Sequence, residues 1–463
     1  MIYFQSTRVP SIVLACGALL SICPTTRAAP EIAGTSDGFV DTIGVNIHST
    51  HYLGFPSTTY DNWNGVINAT SVLGIRNVRD HVIAPTLLNQ LTAATGARVD
   101  GILESHYIMN GHLVLDPNSV ATQIGYAKQV VGLNAIEGPN EYNEYNDPNF
   151  LTTLYNYQAG LYTAAKADPV LAGHPVIGPS LDNPALYASF GNLAAFVDKG
   201  NIHSYPPSGN IPTAALNYWL GDVAQMVGSK TVWSTETGYH SSTQLNTPYD
   251  VSQAAAAKYM PRLLMEYYKA GIEKTYLYEL ADDNVDPTNS NGENNLGLVN
   301  TDFSLKPAGS AVKNLIALLS DRGQTFAPAS LNYTLAGGNS SLHHILLQKG
   351  SGKFYLALWQ DVAVFDKPSN TDLFNPDLLV TLTFASPILG MTTYLPDGSA
   401  NPVATYGMLT QVNLNVPDQV LLLEITPMPE PVSALVVFGA ALTLMNRRRM
   451  RTQCRKNFLC DGL

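Results

Sequence analysis

Between residues 39 and 321 the spacing of apolar positions switches back and forth between a short β-like pattern and a longer helical one. The runs "FVDTIGVNI", "GIRNVRD", "RVDGILES", "LNAIEG", "PVIGPSL", "GNIHSY", "KTVWSTE" and "KTYLYEL" read as strands. Between and after them, stretches such as "TLLNQLTAATG", "SVATQIGYAKQVVG", "FLTTLYNYQAGLYTAAKAD" and "SQAAAAKYMPRLLMEYYKAG" carry a helical pattern. Several end on a glycine just before the next strand, as helix C-termini tend to. Eight strands alternating with eight helices over about 280 residues predict a (β/α)8 barrel of the TIM type. The rival α/β architecture, a doubly wound open sheet, usually has a glycine-rich phosphate turn after its first strand, and "GVNIHSTHYLGF" has none.

From about residue 323 the helical pattern stops. "SLHHILLQK", "KFYLALWQD", "LLVTLTFA", "MLTQVNLNV" and "DQVLLLEIT" are strand-like and separated by Pro, Gly, Asn and Asp. The expected organisation is a barrel over residues 30–322 and an all-β sandwich domain over 323–427, with no internal repeat and no low-complexity linker.

The two ends read differently. Residues 1–29 place Arg8 before the apolar "SIVLACGALLSI" and the small-residue "TTRAAP", the pattern of a secretory signal peptide. Residues 428–463 open with "MPEPVSALVVFGAALTLMNRRRMR", whose apolar run of about 15 residues is short for a membrane span of roughly 20. The cluster Arg447, Arg448, Arg449 and Arg451 would remain cytoplasmic. Pro-Glu-Pro, an apolar run and an arginine cluster, in that order, resemble the PEP-CTERM sorting signal of Gram-negative-type bacteria. That resemblance implies export to the cell surface or beyond, transient membrane association through residues 432–446, and cleavage by an exosortase-like enzyme near Pro429–Pro431. The segment "TQCRKNFLCDGL" extends past the arginines, further than such signals usually run, and a retained tail anchor is the alternative.

Composition adds three points. With 45% apolar and 13% charged residues, the chain of 463 residues can bury a large core. All four cysteines (Cys16, Cys23, Cys454 and Cys460) lie in the end segments, so the middle of the chain carries no disulfide. Eight of the 25 Lys and Arg and one of the 36 Asp and Glu also lie there, which leaves residues 30–431 with a net charge of −18. So acidic a protein is a poor partner for nucleic acid or for strongly anionic polymers.

In a barrel of this kind chemistry takes place at the C-terminal ends of the strands. Those ends carry Arg79 on the second strand, His106 on the third, Asn140 and Glu141 on the fourth, His203 and Tyr205 on the sixth, and Glu236 on the seventh. Two carboxyl groups facing each other across a pocket suit glycosidic bond cleavage, one protonating the leaving oxygen and the other attacking the anomeric carbon or activating water. Glu141 and Glu236 can form that pair.

The motifs around them resemble a known group. "GPNEYN" after the fourth strand and "WSTETGY" after the seventh are similar to the signatures of glycoside hydrolase clan A, families 5 and 39 included. "HSY" is similar to the His-x-Tyr of family 5, and "GLVNTDFSLKPAGSAVKNL" resembles the exit from the last barrel strand in such enzymes. The resemblance implies Glu141 as general acid/base, Glu236 as nucleophile, and double displacement with retention. It further implies that Asn140 bonds the sugar 2-hydroxyl, that Tyr205 donates to Glu236, and that His203 and Arg79 orient the pair.

Other polar residues are weighed beside these. Glu137 is expected to point into the barrel as a structural carboxylate needing Arg or amide partners, and Glu144 to be a solvated loop residue. Among Trp63, Trp219, Tyr142, Tyr145 and Tyr239, any one is a candidate for stacking on sugar, and Tyr239 is placed at the substrate. Glu279, with Asp282 and Asp283, stands where family 5 usually has Trp. His48 and His51 hint at a metal, but no third ligand is visible, so neither metal nor cofactor is expected. The resulting expectation is an exported retaining glycosidase acting on a β-linked, neutral polysaccharide or oligosaccharide. A transglycosylase on the same site and a non-catalytic glycan-binding or matrix protein are the alternatives.

Overall fold

The computed structural model describes residues 30–50, 57–242 and 249–429. The expected signal peptide, His51, the apolar run 432–446 and the arginine cluster lie outside the described residues. Among the described residues no helix is long and apolar enough to cross a membrane.

Eight parallel strands form a nearly closed barrel: β1 (Ile43–Asn46), β2 (Asn77–His81), β3 (Arg98–Ile102), β4 (Leu133–Glu137), β5 (Val176–Ile177), β6 (Gly200–His203), β7 (Val232–Thr237) and β8 (Thr275–Leu277). Their order in the sheet is β6-β7-β8-β1-β2-β3-β4-β5. The seam between β5 and β6 is held by a single parallel bridge, Ile177 to Lys199. A helix follows each strand: α1 (Trp63–Leu73), α2 (Pro85–Thr95), α3 (Val120–Ala127), α4 (Phe150–Ala167), α5 (Leu186–Phe190), α6 (Thr213–Val227), α7 (Gln253–Lys269) and α8 (Pro307–Leu319). The sequence marks several of these boundaries. The Asn62 side chain accepts from the Gly65 amide at the start of α1, and Gly74 ends it at φ 75°, a left-handed conformation that favours glycine.

Strand alternation sorts side chains into two environments. Val45, Val78, Val99, Ile136 and Ile202 belong to the apolar layer shared with the helices. The residues alternating with them, Asn46, Arg79, Asp100, Glu137 and Asn201, are also buried. They face the barrel interior, where aliphatic side chains are usual. Below them Tyr276 fills the barrel across Gly44, where a Cβ would sit 2.4 Å from the tyrosine ring. One expected strand is shorter than the pattern suggests. β3 stops at Ile102, and His106–Met109 pairs with His112–Leu115 in a separate antiparallel hairpin.

The C-terminal unit is all-β, with β9 (Tyr333–Gly337), β10 (Leu342–Gln348), β11 (Phe354–Gln360), β12 (Leu378–Leu395), β13 (Ser399–Tyr406), β14 (Leu409–Val416) and β15 (Leu421–Pro427). Where a sandwich was expected, hydrogen bonds join these strands into one sheet. The 18-residue β12 makes this possible. Its first half pairs with β9 and β14, and its second half with β15 and β13. Leu346, Leu356, Val380, Leu382, Leu414 and Leu423 share a core of their own. The sheet also recruits the start of the described chain, across the expected boundary at residues 322 and 323. Glu31–Ile32 pairs with Ser330–Leu331, and Gly34–Thr35 with Leu347–Gln348.

Helix α7 links the two units. Arg262, fully buried, donates to the carbonyls of Asp418 (3.0 Å) and Val362 (2.8 Å) and lies 3.4 Å from Asp361 Oδ1. One turn on, Glu266 Oε1 accepts from Trp359 Nε1 at 2.6 Å. Replacing Arg262 by Met removes the cation while keeping most of its volume, and leaves the Asp361 carboxylate with only the Thr213 hydroxyl, and two carbonyls without this donor. The expected loss is about 3–5 kcal/mol, read as a lower denaturation midpoint in guanidinium. A loss within about 0.5 kcal/mol would contradict this account of the interface.

Candidate active site

The site grows from Arg79 on β2. Its side chain is only 2% exposed, and its guanidinium reaches acceptors on three other barrel strands and on the loop after β4. Nε and Nη2 fork onto Glu137 at 2.8 and 2.7 Å, and Nη2 also donates to Asn140 Oδ1 at 2.7 Å. Nη1 donates to Glu236 Oε1 at 2.6 Å and to Asn46 Oδ1 at 2.8 Å. Burial alone would weaken the Arg79 charge, but Glu137 and Glu236 together push its pKa well above the ordinary value. Glu137, fully buried, is held below the usual carboxylate range, burial being outweighed by Arg79. Asn201 Nδ2 adds a bond to it at 3.0 Å. Asp100, the register neighbour of Arg79, is pushed well up by burial and then by Glu137, so it stands as the neutral acid among these carboxyls.

Glu141 lies above this layer in the left-handed region, at φ 40° and ψ 40°. A non-glycine residue adopts that conformation only when its surroundings hold it. Here the Asn140 amide donates to Glu104 Oε2 at 3.0 Å, and the Glu141 amide to Ser180 Oγ at 3.1 Å. A fifth of the Glu141 side chain is exposed, and His203 Nδ1 lies 2.6 Å from its Oε1. Burial, with smaller contributions from Asp182 and Glu293, outweighs Arg79 and raises its pKa to about 7. Burial lowers His203 to about 4, so the imidazole is neutral. Its Nε2 is 3.0 Å from Thr235 Oγ1, whose single proton is used on Asn201 Oδ1 at 2.7 Å. Nε2 therefore carries the imidazole proton, and Nδ1 is free to accept from a protonated Glu141. On the facing side Tyr205 donates to Glu236 Oε2 at 2.8 Å. One oxygen each of Glu141 and Glu236, together with a His203 nitrogen, lie within 4.8 Å of one another.

Two cavities meet at this pair. One, of about 230 Å³, is lined by Asn46, His48, Asp80, His81, Tyr145 and Asp283 among others. The other, of about 480 Å³, is lined by Glu141, Asp182, His203, Tyr205, Trp219 and Tyr249 among others. Asn140, Glu144, Glu236, Tyr278 and Glu293 line both.

The structure thus brings together Arg79, Asn140, Glu141, His203, Tyr205 and Glu236, and places Glu137 beneath them. Two expected site residues belong elsewhere. His106 sits in the hairpin beyond β3, stacked on Tyr145 at 4.8 Å, and lines neither cavity; Glu104 occupies the place expected for it. Tyr239 is buried against Tyr259 at 4.7 Å and donates to the Asn210 carbonyl, so it is a packing residue at the foot of α7. Glu144 differs too. It faces both cavities, and burial followed by Glu141 and Asp182 raises it to about 7. Trp63 packs on the core and donates to the Leu87 carbonyl, away from the cleft. After β8 the side chain facing both cavities is Tyr278, while Glu279 is buried behind it. Tyr278 and Asn46 do not stand out in the sequence. An alternation count along β1 is the available signal for Asn46, which falls on the inward phase with Gly44.

Three groups of side chains have a metal-like arrangement among the described residues: Glu141–His203–Glu236, His48–Glu279–Asp283 and Glu266–His343–Asp361. The first is occupied by hydrogen bonds with Arg79, Tyr205 and Thr235, and the third by those of Trp359 and Arg262.

No protein-family model matches the chain, and no curated protein matches it. Solved structures do. A family 39 glycoside hydrolase from the gut symbiont Bacteroides cellulosilyticus WH2 superposes with a TM-score of 0.60 at 16% identity, over 85% of this chain and 82% of that one. A GH39 β-xylosidase from Caulobacter crescentus gives 0.51 at 15% identity, over 86% and 98% of the two chains. A glucosidase from Croceicoccus marinus gives 0.51 at 11% identity, over the same shares of 86% and 98%. The chain shares their fold. At these identities the likeness is one of architecture, and the chemistry is argued from the site.

The Glu141 carboxyl keeps its proton in the fold up to about 7, whereas the unfolded chain releases it near 4.5. The stability this group contributes is therefore complete below its unfolded pKa and declines as pH rises through the folded one. Glu141→Gln keeps a donor for His203 and cannot ionise. It is expected to match the wild type near pH 4 and to be more stable by about 1–3 kcal/mol near pH 8, as read by urea denaturation. Equal stability at both pH values would rule out a raised Glu141.

Proposed function

We propose that the protein is a retaining glycoside hydrolase that cleaves β-type bonds of a neutral polysaccharide or oligosaccharide. The observation that carries this reading is the Glu141–Glu236 pair. One carboxyl is protonated up to about 7. The other is ion-paired to Arg79 at 2.6 Å. An oxygen of each lies within 4.8 Å of the other, on the close side of the range that separates retaining from inverting enzymes.

The geometry supports a two-step path. Glu236 attacks the anomeric carbon from one face while Glu141 gives its proton to the departing glycosidic oxygen. Glu141, now ionised, takes a proton from water, whose oxygen attacks the same carbon and releases Glu236. Because Glu141 lines only the larger cavity, the leaving sugar belongs there, and the glycone lies toward His48 and Asp283. Asn140 is at hand for a sugar hydroxyl, with its amide oxygen already fixed by Arg79.

The cleft also bears on substrate charge. Asp80, Asp182, Asp283, Glu144 and Glu293 line it, and the one Lys or Arg side chain on it among the described residues, Arg79, is committed to Glu137 and Glu236. A uronate would meet repulsion on either side of the bond, which favours neutral sugars. The larger cavity on the leaving-group side can also retain a sugar acceptor, which favours transglycosylation as the second reading. The opening and closing sequence segments support export and processing by an exosortase-like enzyme, with membrane association through residues 432–446.

Product release from a panel of neutral β-glycans by the purified protein tests this. Turnover is expected with retention of anomeric configuration by NMR. Glu236→Gln should reduce it to background, and Glu141→Gln should slow it by roughly 100- to 10,000-fold. Since the acid must be protonated, kcat/KM should fall as pH rises through about 7, the value to which Glu141 is raised. Inverted product, or full turnover by Glu236→Gln, would overturn the assignment. Glycan binding without turnover by either protein would favour a non-catalytic binding role.

A further inference from the structure

Beside the catalytic pair, where β8 meets β1, the cleft wall holds a second cluster. His48 Nε2 lies 3.0 Å from Glu279 Oε2. The ligating atoms of His48, Glu279 and Asp283 are all within 4.8 Å of one another. Glu279 is fully buried, and Tyr60 donates to its Oε2 at 2.9 Å. Two atoms of the cluster, Glu279 Oε1 and Asp283 Oδ1, are buried and make no hydrogen bond, and His48 Nε2 has only its contact with Glu279 Oε2. Two orphaned carboxylate oxygens in one small volume are unusual in a folded chain.

Charge leads to the same place. Asp80 stands alongside with its oxygens on the Ser49 and His81 amides at 2.7 Å and, being an acid itself, adds no counter-charge. Arg79, the only Lys or Arg on this cavity among the described residues, is committed elsewhere. Two carboxylates with one imidazole remain. Protonating His48 balances one of them. A divalent cation balances both and leaves His48 neutral as a nitrogen donor.

We propose that His48, Glu279 and Asp283 bind a divalent transition-metal ion of the zinc class. One imidazole and two carboxylates suit such an ion, and three protein ligands with one open side are the arrangement of accessible zinc sites. Tyr60 fixes the Glu279 carboxylate from behind. His48 and Asp283 line the smaller cavity, so the open side faces the cleft. The sequence hides the set because Glu279 and Asp283 lie more than 230 positions along the chain from His48. The site shares His48 and Asp283 with the glycone side of the cleft, and metal binding is read without any measurement of turnover.

The test uses the full-length protein, stripped with a chelator and titrated with Zn²⁺ by calorimetry, with Tm followed in parallel. One equivalent is expected to bind and to raise Tm. Asp283→Asn, on the cavity wall, and His48→Ala should abolish both effects, and Tyr60→Phe should weaken binding about tenfold. Absence of binding would overturn the proposal. So would binding unchanged in both Asp283→Asn and His48→Ala, since the ion would then sit elsewhere. NMR of His48 supplies an independent readout. An imidazolium persisting to about pH 9 whether or not Zn²⁺ is present would mean that a proton on His48, and no metal, balances the Glu279 carboxylate.

Discussion

The guanidinium of Arg79 is the interaction on which the rest of the site depends. A cation buried to this degree costs several kcal/mol unless its surroundings return most of it, and here the return comes from Glu137, Glu236, Asn46 and Asn140 together. The planar fork fixes directions as well as charge. Glu137 takes two parallel bonds from below, and Glu236 and Asn140 are held at separate corners above. A lysine would supply the charge as a point and lose the orientation. Neutral Asp100 completes the balance, because a third anion in this layer would have no counter-charge.

Much of this is legible in the sequence, and the limits have physical causes. The count of strands and helices follows from two hydrophobic periods, and the strand ends point to Arg79, Asn140, Glu141, His203, Tyr205 and Glu236. The role of Glu137 also follows from alternation, since it shares an inward phase with Ala135. His106 is misplaced by the sequence pattern because "HYIM" looks like a continuation of β3, when the chain has turned into a hairpin. Tyr239 is misplaced because sequence cannot reveal a ring partner twenty residues away on α7. At the end of β8 the charge of Glu279 draws attention from Tyr278, the residue facing the cleft. The single continuous sheet depends on how far β12 runs before it ends, which a turn-based reading divides into shorter strands.

The chemistry rests on rigid parts. Glu236 is the penultimate residue of β7, and the chain runs from there into α7, which is clamped to the C-terminal sheet through Arg262 and Glu266. The sheet is thus more than an appendage, since it braces the helix behind the strand that carries one of the two carboxyls. Glu141 is secured differently, by side chains gripping a left-handed backbone.

The pairing of residues 31–35 with strands more than 290 positions later has a consequence for how the protein is made. Synthesis delivers these residues about 300 positions before their partners at 330–331 and 347–348. The two units therefore cannot be locked across that edge until the barrel sequence between them has been made. Contacts so distant along the chain are slow to form. Residues 31–35 must wait unpaired until the whole barrel sequence has been made to receive them.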